Sequence, residues 1–443
     1  MNKKIKVLTI SDHPLSPSGV GMQTNYFITG LLKTEKFSFY SLAGAMKHDS
    51  YQPGKVDGFG EDWIIHPTDG YGNQELIRSI IRTYKPDILW FMTDPRFYGW
   101  LWDMENEIRS LCPMVYYHVW DNYPYPHYNK VWYESTDTMV SISKLTSDIV
   151  QTVAPNTTEH YLPHSIPMDV FKKLPDAQIK SIRNTQIGID DENFLIFWTN
   201  RNARRKQSGS LMYWYRDFLD ELEKKYGHRN STLLMHTEPK DPNGQDLYAI
   251  ADSLELHKHR NVLFSTEKIA LDELCMLYNA SDTCITISDA EGFGLYTFES
   301  LACETPIIAT LTGGLQEQVS NLETISQEIV LERHRKFAGT HIETEFGIGL
   351  EPSSKGVIGS QEVPYIYEDR LNGEQVSSAL MKMYEYGAEK RSSLGIAGRK
   401  HLEKNYNYEN YVRRWEEIMI ETYENNGSWE TRKNYDRWEL KAV

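Results

Sequence analysis

The 443-residue sequence predicts an α/β protein built from two parallel-sheet domains in tandem. Three observations carry this. Short apolar runs alternate with longer helix-compatible stretches in both halves of the chain, the rhythm of strands joined by covering helices. Each half opens on an apolar run followed directly by a polar loop, rich in Pro, Gly and Ser in the first half and in Arg and Asn in the second. Between the halves, residues 172–193 are polar and without period, the composition of a linker. The division is therefore a first domain over 1–171, a linker over 172–193, a second domain over 194–404, and a terminal helix with tail over 405–443.

In the first half, residues 5–10 read as the opening strand, followed by the loop SDHPLSPSGVGMQT and a helix over 22–33. A strand, a glycine loop and a helix in that order present unpaired backbone donors, a layout suited to phosphate. Gly19 and Gly21 in this loop serve either that purpose or a plain tight turn. Strands over 37–42, 88–93 and 113–119 alternate with helices over 74–84 and 100–110. His118 closes the last of these strands, and in open α/β sheets the ligand crevice lies outside such strand ends. A lone histidine there is structural or functional. The aromatic stretch 120–133 either packs the domain or offers partly exposed rings for stacking, and Asp121 within it either orients His118 or caps the loop. A strand and helix over 139–150 and the segment YLPHSIPMDVF complete this half.

The second half begins with a strand over 194–199 and continues as NRNARRKQSG. Charge runs are usually solvated faces, but Arg201, Arg204, Arg205 and Lys206 directly after a first strand form a basic cluster in an acidic chain. A helix over 211–226, a strand over 232–237, a Pro/Asp/Gly turn over 239–244, a strand over 261–264 and a helix over 271–280 lead to a strand over 283–288. Then comes EGFGLYTFESLACETPIIATLTGG, residues 291–314. After Gly292 it reads as a tight loop through Phe293, Gly294 and Leu295, a helix from about Tyr296, a buried strand over 306–310, and the turn Gly313-Gly314. Glu291 and Glu299 stand eight positions apart, just over two helical turns. Glycines let backbone amides approach a phosphate, and a carboxylate accepts two hydroxyls at once. A solvated helix face is the plainer account of such a pair.

Glu317, after the glycine turn, reads as a ligand contact or a helix cap. Residues 316–364 are too long for a turn and form either an ordered insertion or a flap. Helices over 373–386 and 390–403 follow. Tyr408, Tyr411, Val412, Trp415, Met419 and Tyr423 then recur at three- and four-residue steps, the pattern of a bulky amphipathic helix. Its polar face sets Glu416, Glu417 and Glu421 against Arg413 and Arg414, poor for an anionic lipid surface, so a docking helix is the better reading. The tail 428–443, with Trp429 and Trp438, carries no pattern.

Composition narrows the partners. A formal charge of −15 argues against nucleic acid, whose affinity is driven by Lys and Arg displacing counterions. Four cysteines in apolar settings without ligand spacing read as reduced core thiols, hence a cytoplasmic location. No run approaches the roughly 20 apolar residues of a membrane span, leaving at most peripheral membrane contact.

The stretch EGFGLYTFESLACETPIIAT resembles the donor-site signature of retaining nucleotide-sugar glycosyltransferases of the family 4 type, which have the two-domain GT-B architecture. The resemblance implies two Rossmann-like domains facing a cleft, with the terminal helix crossing back to the first. It implies transfer of a sugar from a nucleoside diphosphate to a hydroxyl of a glycan or glycoconjugate, with retention, in surface polysaccharide synthesis. Residue by residue, Glu299 matches the position that holds the ribose and Glu291 the one that holds donor-sugar hydroxyls, in the loop Gly292, Phe293, Gly294 and Leu295. Arg201 and Lys206 match the basic pair that neutralises the pyrophosphate, Gly19 and Gly21 the loop facing it, and His118 the histidine near the reacting carbon. No cofactor and no metal are expected, since no Asp-x-Asp is placed to bridge phosphates and the basic pair would carry their charge. Two departures stand out: Glu304 where the family has glycine before Thr305-Pro306, and His164-Ser165 where it has Asn-Gly. Two other classes remain, a sugar-nucleotide epimerase, which needs a carboxylate acid/base over the sugar ring, and a silent glycan-binding relative, which needs neither basic pair nor glutamates.

Overall fold

The central strands in this protein are mostly apolar runs, as expected where both faces of a sheet are covered. The computed structural model describes residues 3–257, 260–322 and 324–435. It divides into two units: residues 1–165, 359–365 and 408–443, and residues 166–358 and 366–407.

The first unit holds an eight-stranded sheet. Its strands are β1 (Ile5–Asp12), β2 (Phe37–Gly44), β3 (Gly54–Lys55), β4 (Trp63–Pro67), β5 (Ile88–Thr93), β6 (Met114–His118), β7 (Thr138–Ser141) and β8 (Thr158–Tyr161). They lie in the order β3-β4-β2-β1-β5-β6-β7-β8, all parallel except the short β3 against β4. Every residue of β2, β5 and β6 is buried. The order runs outward in both directions from β1, so the loops after β1 and β5 lie at the point where the chain reverses direction across the sheet.

The helix Tyr408–Asn426 belongs to this first unit. Trp415 is fully buried, 4.8 Å from Phe27 of the helix Gly19–Leu32, while Phe27 stacks at 4.4 Å on Trp90 of β5. The tail is anchored by side-chain bonds that no periodicity announces. Ser428 Oγ donates to Asp87 at 2.7 Å, Trp429 Nε1 to the Pro86 carbonyl at 3.0 Å, and Arg432 pairs with Asp137 at 2.9 Å. The end of the tail, 436–443 with Trp438, lies outside the described residues.

The second unit holds a seven-stranded sheet of β9 (Phe194–Thr199), β10 (Ser231–His236), β11 (Val262–Ser265), β12 (Thr283–Thr286), β13 (Ile307–Thr310), β14 (His341–Glu343) and β15 (Gly347–Leu350), in the order β11-β10-β9-β12-β13-β15-β14. Only β14 is antiparallel. A separate hairpin pairs β16 (Ser354–Ile358) with β17 (Ile366–Arg370). Within 316–364 the described residues include β14 and β15 at the sheet edge and one arm of this hairpin. Residues 172–193 carry the helix Asp176–Ser181 and the π-helical turn Ile182–Ile187, fastened to the second unit where Arg183 donates to the Ala280 carbonyl at 2.7 Å and pairs with Asp282 at 3.1 Å.

Candidate active site

Gly294 has φ of +88°, and a Cβ there would lie 2.6 Å from Leu315 Cδ2, so glycine is required twice over. The loop it closes begins after β12, ends in the helix Leu295–Ala302, and is fixed from outside. The Gly314 amide donates to the Glu291 carbonyl at 3.0 Å, and Gln318 Nε2 to the Phe293 carbonyl at 2.5 Å. The Gly313-Gly314 turn therefore props up the loop that carries Glu291.

The Glu291 carboxylate is buried and receives three side chains. Lys206 pairs with it directly, Arg205 Nη1 stands 3.5 Å away, and the Tyr296 hydroxyl donates at 3.1 Å. Burial pushes the Glu291 carboxyl up, but the Lys206 and Arg205 charges outweigh it and hold the pKa below the ordinary value. Glu291 is an ionised acceptor already loaded with donors.

Glu299, about one turn into the helix, is 6% exposed and accepts one bond, at 2.7 Å from the buried Tyr278 hydroxyl of the helix Leu271–Ala280. Burial pushes its pKa up to about 7, partly offset by that bond. The two carboxylates of one motif thus differ: Glu291 holds its charge, whereas Glu299 takes up a proton near neutrality.

The basic cluster divides. In the tight turn Arg204–Lys206 successive side chains splay apart, and Arg205 and Lys206 face the Glu291 loop, where Arg205 also donates to the Ala290 carbonyl at 2.6 Å. Arg204 points the other way, to Glu368 at 2.8 and 2.5 Å. Arg201 is 63% exposed at its side chain and forms a two-point bond with Asp241 at 2.7 and 3.2 Å. The structure brings Lys206, together with Arg205, onto Glu291, and places Arg201 on Asp241 instead. Tyr278 and Tyr296 are the site neighbours that sequence reasoning passed over, and Arg205 it read only as one of the basic cluster; nothing in RNARRK distinguishes which arginine turns inward.

The first unit carries the remaining candidates. Gly19 begins the helix Gly19–Leu32, whose cap is the Ser18 hydroxyl accepting from the Gly21 amide at 3.0 Å. A Cβ on Gly21 would sit 2.6 Å from the His13 carbonyl oxygen, so glycine there answers a close backbone approach. His118 is completely buried at the end of β6, with Nε2 2.7 Å from the Tyr133 hydroxyl and no hydrogen-bond partner on Nδ1. Burial pushes its pKa down to about 3, so the ring is neutral. Of the aromatic stretch that follows, Trp120, Tyr123 and Tyr133 are core residues rather than exposed rings. Among the described residues no group of three or more His, Cys, Asp or Glu is placed to hold a metal ion, and no helix is long and apolar enough to cross a membrane.

Residues 240–334, which include both glutamates and the glycine turn, match the family described as glycosyl transferases group 1. The fold agrees with this at full length. Sucrose-phosphate synthase from Thermosynechococcus elongatus superposes with a TM-score of 0.70 at 14% identity, over 95% of this chain and 100% of that one. Anabaena HepE, solved in complex with UDP and glucose, does so with a TM-score of 0.64 at 12% identity, over 94% and 99%. The match is confined to that segment, while the fold, two Rossmann-like parallel-sheet domains of the GT-B architecture, is shared with these structures over nearly the whole chain. A curated relative, the alpha-monoglucosyldiacylglycerol synthase of Streptococcus pneumoniae, is 26% identical over 175 residues, 39% of this chain. That alignment spans only 37% of the relative's length.

Proposed function

We propose that this protein is a retaining glycosyltransferase that moves a sugar from a nucleoside diphosphate to a hydroxyl of a glycan or glycoconjugate, in the cytoplasm and without a metal ion. The observation that carries it is the buried Lys206–Glu291 pair, with Arg205 beside it and Glu299 two turns along the same motif. A diphosphate and a ring of hydroxyls are what such a pair is built to separate: the cations turn to the phosphate oxygens, and the released carboxylate accepts sugar hydroxyls. Ionised Glu299 accepts the two ribose hydroxyls. The bond between the anomeric carbon and the phosphate oxygen then breaks, its electron pair leaves with the diphosphate, and Lys206 and Arg205 offset the charge that builds there. The acceptor oxygen bonds to the same face of the carbon, and its proton passes to the departing phosphate oxygen. His118, Arg201 and the Gly19–Gly21 loop enter this scheme by resemblance alone.

The test is a thermal-shift panel of UDP, GDP, ADP and their common sugar conjugates on wild type and Glu299→Ala. Ligand at 100 times its dissociation constant adds about 2.7 kcal/mol of apparent stability. A rise with one nucleotide family, reduced by the substitution, is the expected result and identifies the base. No rise with any member removes the proposal in favour of a silent glycan-binding relative. NMR of the product of the identified donor then reads the anomeric configuration, and an inverted product overturns retention.

A further inference from the structure

Between the Glu291 loop and the basic turn stands Asp289, 2% exposed. It is bonded on all sides. Its amide donates to the Arg205 carbonyl at 2.8 Å, and its carbonyl accepts the Asp369 amide of β17 at 2.7 Å. Its carboxylate accepts from Gln207 Nε2 at 2.8 Å and pairs with Arg370 of β17. Asp289 therefore grips the residues on either side of Lys206, one through backbone and one through side chain.

The hairpin closes the ring. Arg370 also pairs with Glu368 at 2.6 Å, and Glu368 takes the two-point bond from Arg204, so the turn is held at Arg204, Arg205 and Gln207. Lys355 of β16 pairs with Asp369 almost wholly out of solvent. The charges in this ring balance, Arg204, Arg370 and Lys355 against Asp289, Glu368 and Asp369. One further feature shows that the turn needs holding: Gln207 has φ of +56°, a left-handed conformation that a side chain adopts at a cost and that persists where the surroundings over-determine it.

We propose that Asp289 is a positioning residue for the diphosphate, braced by the β16–β17 hairpin through Arg370, which sets Arg205 and Lys206 in place without touching the ligand. The inference rests on the donor reading above. It extends that reading to a segment, the hairpin, that the donor motif does not include.

The experiment compares affinities for UDP, GDP and ADP with those for UMP, GMP and AMP by calorimetry, in wild type, Asp289→Asn, Arg370→Met and the double variant. A residue that only supports the fold weakens both classes of nucleotide together. A residue that aims the cations removes the advantage of the second phosphate. The expected result is a diphosphate affinity about tenfold weaker in each single variant, the scale of one charge-assisted hydrogen bond, with monophosphate affinity within about twofold and no further loss in the double variant. An unchanged ratio of diphosphate to monophosphate affinity overturns the proposal. Should Asp289→Asn fail to fold, Arg370→Met approaches the same ion pair from the partly exposed hairpin side and decides alone. Wild type binding none of the six nucleotides instead sinks the donor reading, and this inference falls with it.

Discussion

Glu299 has a protonation state that pH decides within the physiological range. Its folded pKa, about 7, lies above the ordinary carboxylate value, so between the two the folded chain binds the extra proton and stability falls as pH rises. Glu299→Gln removes that fall. The melting temperature of the variant is expected to gain on wild type steadily from about pH 5 to about pH 8, and a constant difference across that range would show that burial does not set the charge. If Glu299 holds ribose hydroxyls as proposed, nucleotide affinity has the opposite slope, because accepting them needs the ionised form: it should rise through about pH 7 in wild type and stay flat in Glu299→Gln. Glu304 shows residue chemistry of another kind. It sits at φ of +58°, a left-handed conformation that favours glycine, and the turn from the helix Leu295–Ala302 into β13 forms with a glutamate there.

Among the elements, the helix Tyr408–Asn426 is held mainly by Trp415, whose ring meets Phe27, Trp90 and Tyr117 edge to face. Such a ring in a closed core leaves a cavity when truncated. Trp415→Ala is expected to cost about 3 to 5 kcal/mol in urea unfolding, and a loss below about 1 kcal/mol would mean that the helix is held by its rim. The helix Leu295–Ala302 behaves differently. It is only eight residues long, and its entry is fixed by the glycine turn and Gln318 rather than by its own propensity.

At the scale of the whole molecule, the chain is acidic, yet Lys206 and Arg205 are gathered at the Glu291 loop. If Lys206 and Arg205 carry the leaving-group charge, no divalent ion is needed. Turnover should be unchanged by EDTA; loss in the chelator that magnesium or manganese restores would assign that charge to a metal.

What the sequence alone determined is local. The two-sheet class follows from apolar runs with a strand's length and a helix's period, and the loop, helix, strand and glycine turn over 291–314 follow from neighbours in one contiguous stretch, where glycine positions and burial period act over a few residues. The amphipathic stripe of the last helix was legible for the same reason. Only the tertiary structure decided the rest. Lys206 finds Glu291 across 85 positions, Tyr278 finds Glu299 across 21, and Arg370 finds Asp289 across 81. Which of Arg201, Arg204 and Arg205 turns towards the carboxylate depends on how a tight turn splays its side chains against loops that arrive from elsewhere. The proton on Glu299 depends on burial, which no stretch of sequence contains until the sheet has closed around it.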